Sequence, residues 1–273
     1  MEPIARRMHR LVEPIHMVTY LSKEPTDSLR ALGHRNYWDG YFAGRAAPLG
    51  WVPAEVVHAI FYNFADGEVA RHIPRVWDTA TPEAALAARE QGSVEALRRI
   101  LGDLADYPGL AGAADLATRA ATSAPTEGRI LYAGLRALPV PEEPVARVWH
   151  AATLLREHRG DGHIAALVAA GIGGTEAHVL HALSEGIPAA KFGRVHHLPT
   201  ARLAAVVDGM RARGLIDASG WLSDAGREIK ERVESLTDEL AAPAYDGLQP
   251  SELSQLIADL EPISAALDAA GSR

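Results

Sequence analysis

Four clusters of side chains in this chain have the types and spacing to do chemistry. Glu13, His16 and Tyr20 stand i, i+3 and i+7 on one helical stripe, with His9 seven residues before His16. Imidazole titrates near neutrality, so Glu13 with His16 is a usable general acid–base pair. Tyr37, Tyr41 and Arg45 stand i, i+4 and i+8 in YWDGYFAGRAAPLG (37–50), with Trp38 and Phe42 on the adjoining face. Aromatic walls beside a guanidinium suit an aromatic or anionic molecule, because arginine takes a carboxylate or phosphate bidentately. REHRGDGH (156–163) gathers Arg156, His158, Arg159 and His163 within eight residues, and His163 is a second candidate for proton transfer. His178 and His181 stand i, i+3 with Glu176 close by. They could hold zinc or iron only with a third ligand imported from His150, His158 or His163.

Each cluster also has a plainer explanation. A histidine packed at a helix interface, aromatics filling a core and a polar bend between helices are all ordinary structure. Twelve histidines make chance pairs common, so no metal is expected at His178 and His181. There is no HExxH, no GxSxG elbow, no Rossmann fingerprint and no glycine-rich phosphate loop, so no cofactor is expected. What remains is a pocket for a small organic ligand, drawn from Tyr20, Tyr37, Trp38, Tyr41, Arg45, Arg156, His158, Arg159, His163 and His178.

Helices must position these residues, because nearly every segment repeats at helical rather than alternating period. The pattern predicts helices over 3–22, 25–33, 35–46, 53–63, 66–73, 82–104, 112–124 and 127–138. It continues with 144–158, 163–171, 174–185, 188–196, 199–213, 223–242 and 250–269. Two short strands are expected around Leu215–Ile216 and Trp221–Leu222. Gly160, Asp161 and Gly162 predict a break, with Asp161 as N-cap of a helix beginning near His163. LPVPEEP (138–144) is the clearest punctuation and divides the chain into 1–140 and 141–273.

The two parts echo each other. PIARRMH (3–9) matches PVARVWH (144–150), ALG (31–33) matches AAG (169–171), VPA (52–54) matches IPA (187–189), and Trp77 matches Trp221. The offsets, 141, 138, 135 and 144, are nearly constant, which predicts an internal duplication.

Within the second part, three helices are followed by RARGLID, the turn ASG, WLSDAGREI and a long helix. This run resembles the winged helix-turn-helix of MarR-type regulators over roughly residues 144–270. The full chain, including GYFAGRAAPLG (40–50), also resembles an actinobacterial helix-turn-helix family of similar length, a likeness that implies no particular activity. MarR-type proteins are dimers of chains about half this long. The resemblance therefore implies a mainly α single-chain pseudo-dimer, with a degenerate first copy and a short two-stranded wing in the second.

It also implies DNA binding, which the residues themselves argue against. A recognition helix needs cationic and amide side chains at its start, yet PTARLAAVV offers only Arg202. Lys191, Arg194, His196 and His197 could add phosphate contacts, but the wing turn ASG has no arginine or lysine. The corresponding segment of the first copy, ADGEVARHIPRVWD (65–78), brings Asp66 and Glu68 and is interrupted by Pro74. The net charge of −8 disfavours nonspecific coating of nucleic acid.

No cysteine is present, which excludes disulfides and thiolate chemistry. Charges scattered through MEPIARRMHRLVEPIH exclude a signal peptide, and no run of eighteen apolar residues occurs. A cytoplasmic protein with no membrane partner is expected. The best reading is a ligand-responsive regulator or binding protein with weak or lost DNA binding. The alternative is an enzyme of specialised metabolism on the same scaffold, using His16 or His163 for proton transfer and Arg45 to hold an anionic substrate.

Overall fold

The computed structural model describes residues 2–193 and 198–271, and it is mainly helical. Among the described residues twelve α-helices run α1 Ile4–Leu21, α2 Lys23–Ala31, α3 Tyr37–Ala46, α4 Ala54–Phe61, α5 Pro82–Leu101 and α6 Pro108–Ser123. They continue α7 Ile130–Arg136, α8 Pro144–Ala169, α9 Gly174–Ser184, α10 Thr200–Ala212, α11 Asp224–Ala241 and α12 Pro250–Gly271. Helix starts follow local chemistry. Asn36 caps α3 by accepting from the Asp39 amide, Thr81 caps α5 through Ala84, and Ser223 caps α11 through Gly226. Glu143 accepts from the amides of Val145 and Ala146 at the head of α8.

Pro14 sits inside α1 and cannot donate to the Arg10 carbonyl four residues back. The Ser264 hydroxyl of α12 donates to that carbonyl at 3.4 Å, so the missing bond is supplied from a neighbouring helix. The predicted helix over 66–73 is instead a pair of 3-10 turns, Val69–Arg71 and Arg75–Asp78, on either side of Pro74. The predicted helix over 188–196 is a 3-10 turn at Ala189–Lys191, and Arg194, His196 and His197 lie outside the described residues.

Helix α8 is the axis of the molecule. It packs against α1, α5, α6, α7 and α11, and from Val145 to Leu155 every side chain but the half-buried Arg147 is buried. A helix surrounded in this way has no polar side, which is why its apolar residues show no amphipathic stripe. The main core joins Met8 and Ile15 of α1, Phe42, Leu97, Leu110, Leu154 of α8, and Leu256 and Ile263 of α12. A second, smaller core holds Leu167, Ile172, Val179, Leu180, Leu203, Met210, Leu215, Leu222 and Val233.

The break expected at Gly160–Gly162 does not occur, because α8 runs unbroken through it for 26 residues. Packing overrides the local preference for a turn. Gly162 is needed for close approach: a Cβ there would stand 2.5 Å from Nη1 of Arg129. That guanidinium donates to the carbonyls of His158 and Leu240. Asp161 does serve as a cap, but of another helix. Its Oδ2 accepts from the Tyr132 amide at 3.0 Å in the first turn of α7. The expected two-stranded wing is likewise reduced. Ile216 and Leu222 form one antiparallel bridge, and no strand is present among the described residues. Asp217 folds the three-residue turn tightly by accepting from Ser219 and Trp221, leaving too little chain for a ladder.

Candidate functional site

Because α8 is continuous, its residues fall on fixed faces at 3.6 per turn. Arg156, Arg159, Gly160 and His163 share one face and line a cleft of about 650 Å³, within the range of small-molecule sites. Helix α1 contributes Arg6, His9 and Glu13, and α3 contributes Tyr41 and Arg45. Ile60 to Phe64 form an apolar and aromatic wall. Opposite them stand His178 and His181 of α9, with Lys230 and Glu234 of α11.

Two charge networks floor this cleft. In the first, Arg156 binds Glu157 at 2.8 Å and Glu13 at 3.4 Å, while Arg45 lies 3.6 Å from Glu157. Arg45 also donates to the Tyr41 hydroxyl at 2.8 Å and stacks over the Phe61 ring at 4.3 Å. Burial works to raise the Glu157 pKa, but Arg156 and Arg45 outweigh it and hold the carboxyl low. In the second network, Arg159 reaches Asp238 at 3.0 Å and Glu234 at 3.3 Å, and Arg6 shares Asp238. Burial works to raise Glu234, but Lys230 and its neighbours bring it down to about 2.

His163 is held beside this network by Thr237, one residue before Asp238 on α11. The Thr237 hydroxyl donates to the Val233 carbonyl at 2.7 Å, so it accepts from His163 Nδ1 at 2.9 Å. Burial lowers His163 to about 4. The ring is therefore neutral at pH 7, with Nε2 as the nitrogen left for a cleft ligand. Asp161, also on the lining, is pushed up to about 6 by burial.

The other expected site residues are dispersed. His16 is fully buried, accepts or donates through Nδ1 to Thr153 at 3.1 Å, and does not line the cleft. Burial and nearby arginines lower its pKa well below the ordinary value. Glu13 is engaged by Arg156 rather than by His16. His158 points to the opposite side of α8, edge-on to the Tyr132 ring at 5.0 Å, where burial lowers it to about 3. Trp38 packs in an aromatic cluster with Tyr41, Phe42 and Phe64. Tyr20 and Tyr37 line a separate narrow slot behind Tyr41 and Arg45.

His178 and His181 flank the Phe192 ring at 6.1 and 5.1 Å. Among the described residues no three His, Asp or Glu side chains converge on a metal position. Glu157, Glu234, Lys230, Arg6 and Arg89 were not singled out from the sequence. Arg89 carried a readable signal: it interrupts a helix face of Ala85, Ala88, Gly92, Ser93 and Ala96 that is otherwise small and buried.

Beside the cleft, the first part of the chain docks on the helices expected to meet DNA. Tyr62 donates its hydroxyl to the Ile172 carbonyl at 2.5 Å. Gly174, at the start of α9, leaves room for the Tyr62 carbonyl that a Cβ would strike. Arg202 in the first turn of α10 binds Asp66 at 2.8 Å. Lys191 is exposed on the 3-10 turn before α10.

In this mainly helical scaffold α9 packs against α10, ahead of the tight Ile216–Leu222 turn. The chain belongs to a helix-turn-helix family, which it matches over residues 5–272. That membership points to a regulator of the DNA-binding type. No curated protein and no solved structure gave a match. Among the described residues no single helix is long and apolar enough to cross a membrane.

Proposed function

We propose that the protein is a ligand-responsive, MarR-like regulator or binding protein whose small organic ligand occupies the cleft beside α8. The observation that carries this reading is the origin of the cleft walls. They come from the central helices α1, α3 and α8 and equally from α9 and α11 beside the helix-turn-helix. A ligand there touches both bodies and biases their arrangement to the extent that it binds one arrangement better. The aromatic wall of Tyr41, Phe61 and Phe64 with Arg45, Arg156 and Arg159 suits an aromatic molecule bearing an anionic group.

The reading includes the pseudo-dimer, residues 1–140 standing against 141–273. Support comes from reciprocal packing. Helix α1 packs on α12 as α8 packs on α6, α1 on α5 as α8 on α11, and α1 on α11 as α8 on α5. DNA binding in this scheme is weak, since Asp66 already occupies Arg202 and the turn between Ile216 and Leu222 carries no cation. Binding to the chain's own upstream DNA at two salt concentrations, with and without a cleft ligand, tests the output. A salt-sensitive complex that the ligand changes supports a regulator, while the absence of any complex leaves a binding protein.

A second reading, an enzyme, draws on one observation. A neutral His163 with Nε2 left over lines the same cleft as Arg45 and Asp161, which is the arrangement a proton transfer on an anionic substrate needs. Turnover of the bound ligand that is abolished in His163→Gln, with binding retained, separates it from the first.

A further inference from the structure

Behind Tyr41 and Arg45 lies a slot of about 20 Å³, room for roughly one water-sized group. Arg30, Asn36 and Tyr37 stand exposed at its mouth, and Leu29 and Arg89 are buried at its base. Arg89 is 2% exposed. One face of its guanidinium lies over the Trp149 ring at 5.4 Å, yet Nε and Nη2 are buried with no hydrogen-bond partner. Three other residues of the slot lining also carry a buried atom without a partner: Arg45 at Nε, Tyr20 at its hydroxyl and His34 at Nε2.

The chemistry of this set is one-sided. Guanidinium nitrogens only donate, a phenol donates readily, and a neutral imidazole donates in one tautomer. The nearby carboxylates are already used: Glu157 by Arg156 and Arg45, Glu13 by Arg156. Thr19 in the slot wall is also committed, to Ser93 and to the Trp149 indole. A buried guanidinium with two nitrogens left unpartnered is costly unless an acceptor fills the space beside it.

The geometry points to a binding site for a small monoanion, a halide or a carboxylate group, held by Arg89 with Tyr20 and Arg45. The slot opens separately from the large cleft and shares only Tyr41 and Arg45 with it, so this site stands whether or not the cleft takes an organic ligand. Gly44 makes it possible. A Cβ at that position would lie 3.4 Å from Leu29 Cδ1 and 3.5 Å from Arg89 Cδ, taking up space beside the guanidinium.

The test is melting of the full chain in sodium bromide against sodium sulfate at equal ionic strength, with anomalous diffraction from a bromide-soaked crystal. Saturable stabilisation by bromide and an anomalous peak beside Arg89 are expected. Tyr20→Phe loses a hydroxyl that has no protein partner, so it folds normally and weakens bromide about tenfold, as expected for one hydrogen bond to a charged group. Gly44→Ala, which clashes with nothing, narrows the slot and weakens bromide as well. Competition by acetate and by phenylacetate then distinguishes the sources. Equal competition marks a free small ion, and tighter binding of phenylacetate marks the carboxylate end of a larger molecule. No anomalous peak in the slot, or bromide affinity unchanged in both variants, overturns the site. The cleft variant Ile164→Trp leaves bromide binding intact, so failure here and failure of the cleft reading are told apart.

Discussion

Arg202, the only arginine in the first turn of α10, is held 2.8 Å from Asp66, a residue 136 positions earlier in the chain. The helix expected to approach DNA thus carries its one N-terminal cation already paired with an acid from the other part of the molecule. Asp66 is 80% exposed at its side chain and Arg202 48%, so the pair is worth at most about 1 kcal/mol. Asp66→Asn should raise affinity for duplex DNA about two- to fivefold, and Arg202→Ala should lower it. Fluorescence anisotropy at low and moderate salt measures both. Equal affinity across wild type and the two variants would remove α10 from any DNA contact.

The continuity of α8 makes opposite predictions for two neighbouring glycines. Neither has the left-handed backbone that a helix break would require. A Cβ at Gly160 meets only Oε2 of Glu157 at 3.4 Å, so Gly160→Ala should stabilise by roughly 0.5–1 kcal/mol. Gly162→Ala must displace an Arg129 guanidinium that serves two carbonyls, and should cost about 1–3 kcal/mol. Urea denaturation distinguishes the two, and equal destabilisation would argue for a bend.

Asp161 gives a pH signature. Burial raises its carboxyl from 3.8 to about 6. The folded value lies above the unfolded one, so this group's contribution is full below pH 3.8 and is lost as pH rises through 6, by up to roughly 3 kcal/mol. Asp161→Asn keeps an oxygen for the Tyr132 amide and removes that loss. The variant should be the more stable one above pH 6 and should converge with wild type near pH 4. A constant difference across pH 4–8 would refute the raised value.

His163 behaves in the opposite sense. Its folded value, about 4, lies below the ordinary 6.5, so its contribution is full above pH 6.5 and is lost as pH falls through 4. NMR titration should show the ring neutral down to about pH 4, with the proton on Nδ1. A midpoint near 6.5 would contradict the buried hydrogen bond to Thr237 and weaken the proton-transfer reading with it.

What could be read in the sequence followed from period and local chemistry. Tyr41 and Arg45, four apart, do meet in a hydrogen bond, and the caps at Asn36 and Ser223 stand where short polar side chains precede helical runs. What could not be read depended on contacts between distant parts of the chain. Gly160, Asp161 and Gly162 spell a turn locally. Only the arrival of Arg129 and of the Tyr132 amide turns them into helix interior. Once that helix is continuous, the separation of His158 from Arg156, Arg159 and His163 follows from 100° per residue. His16 and Glu13 share a stripe, yet Thr153 and Arg156 of α8 draw them to different partners. Ion pairing across helices leaves no trace in spacing.

The central claim is that the cleft beside α8 binds a small organic molecule, and steric filling tests it most directly. Ile164 lines the cleft without entering either charge network, so Ile164→Trp occupies the space and leaves the ion pairs in place. Calorimetric titration with a panel of aromatic carboxylates and phosphates is the measurement. One site per chain is predicted for at least one member, with binding lost in Ile164→Trp and retained in Tyr20→Phe. Binding that survives Ile164→Trp at full strength would place the ligand elsewhere and contradict the account.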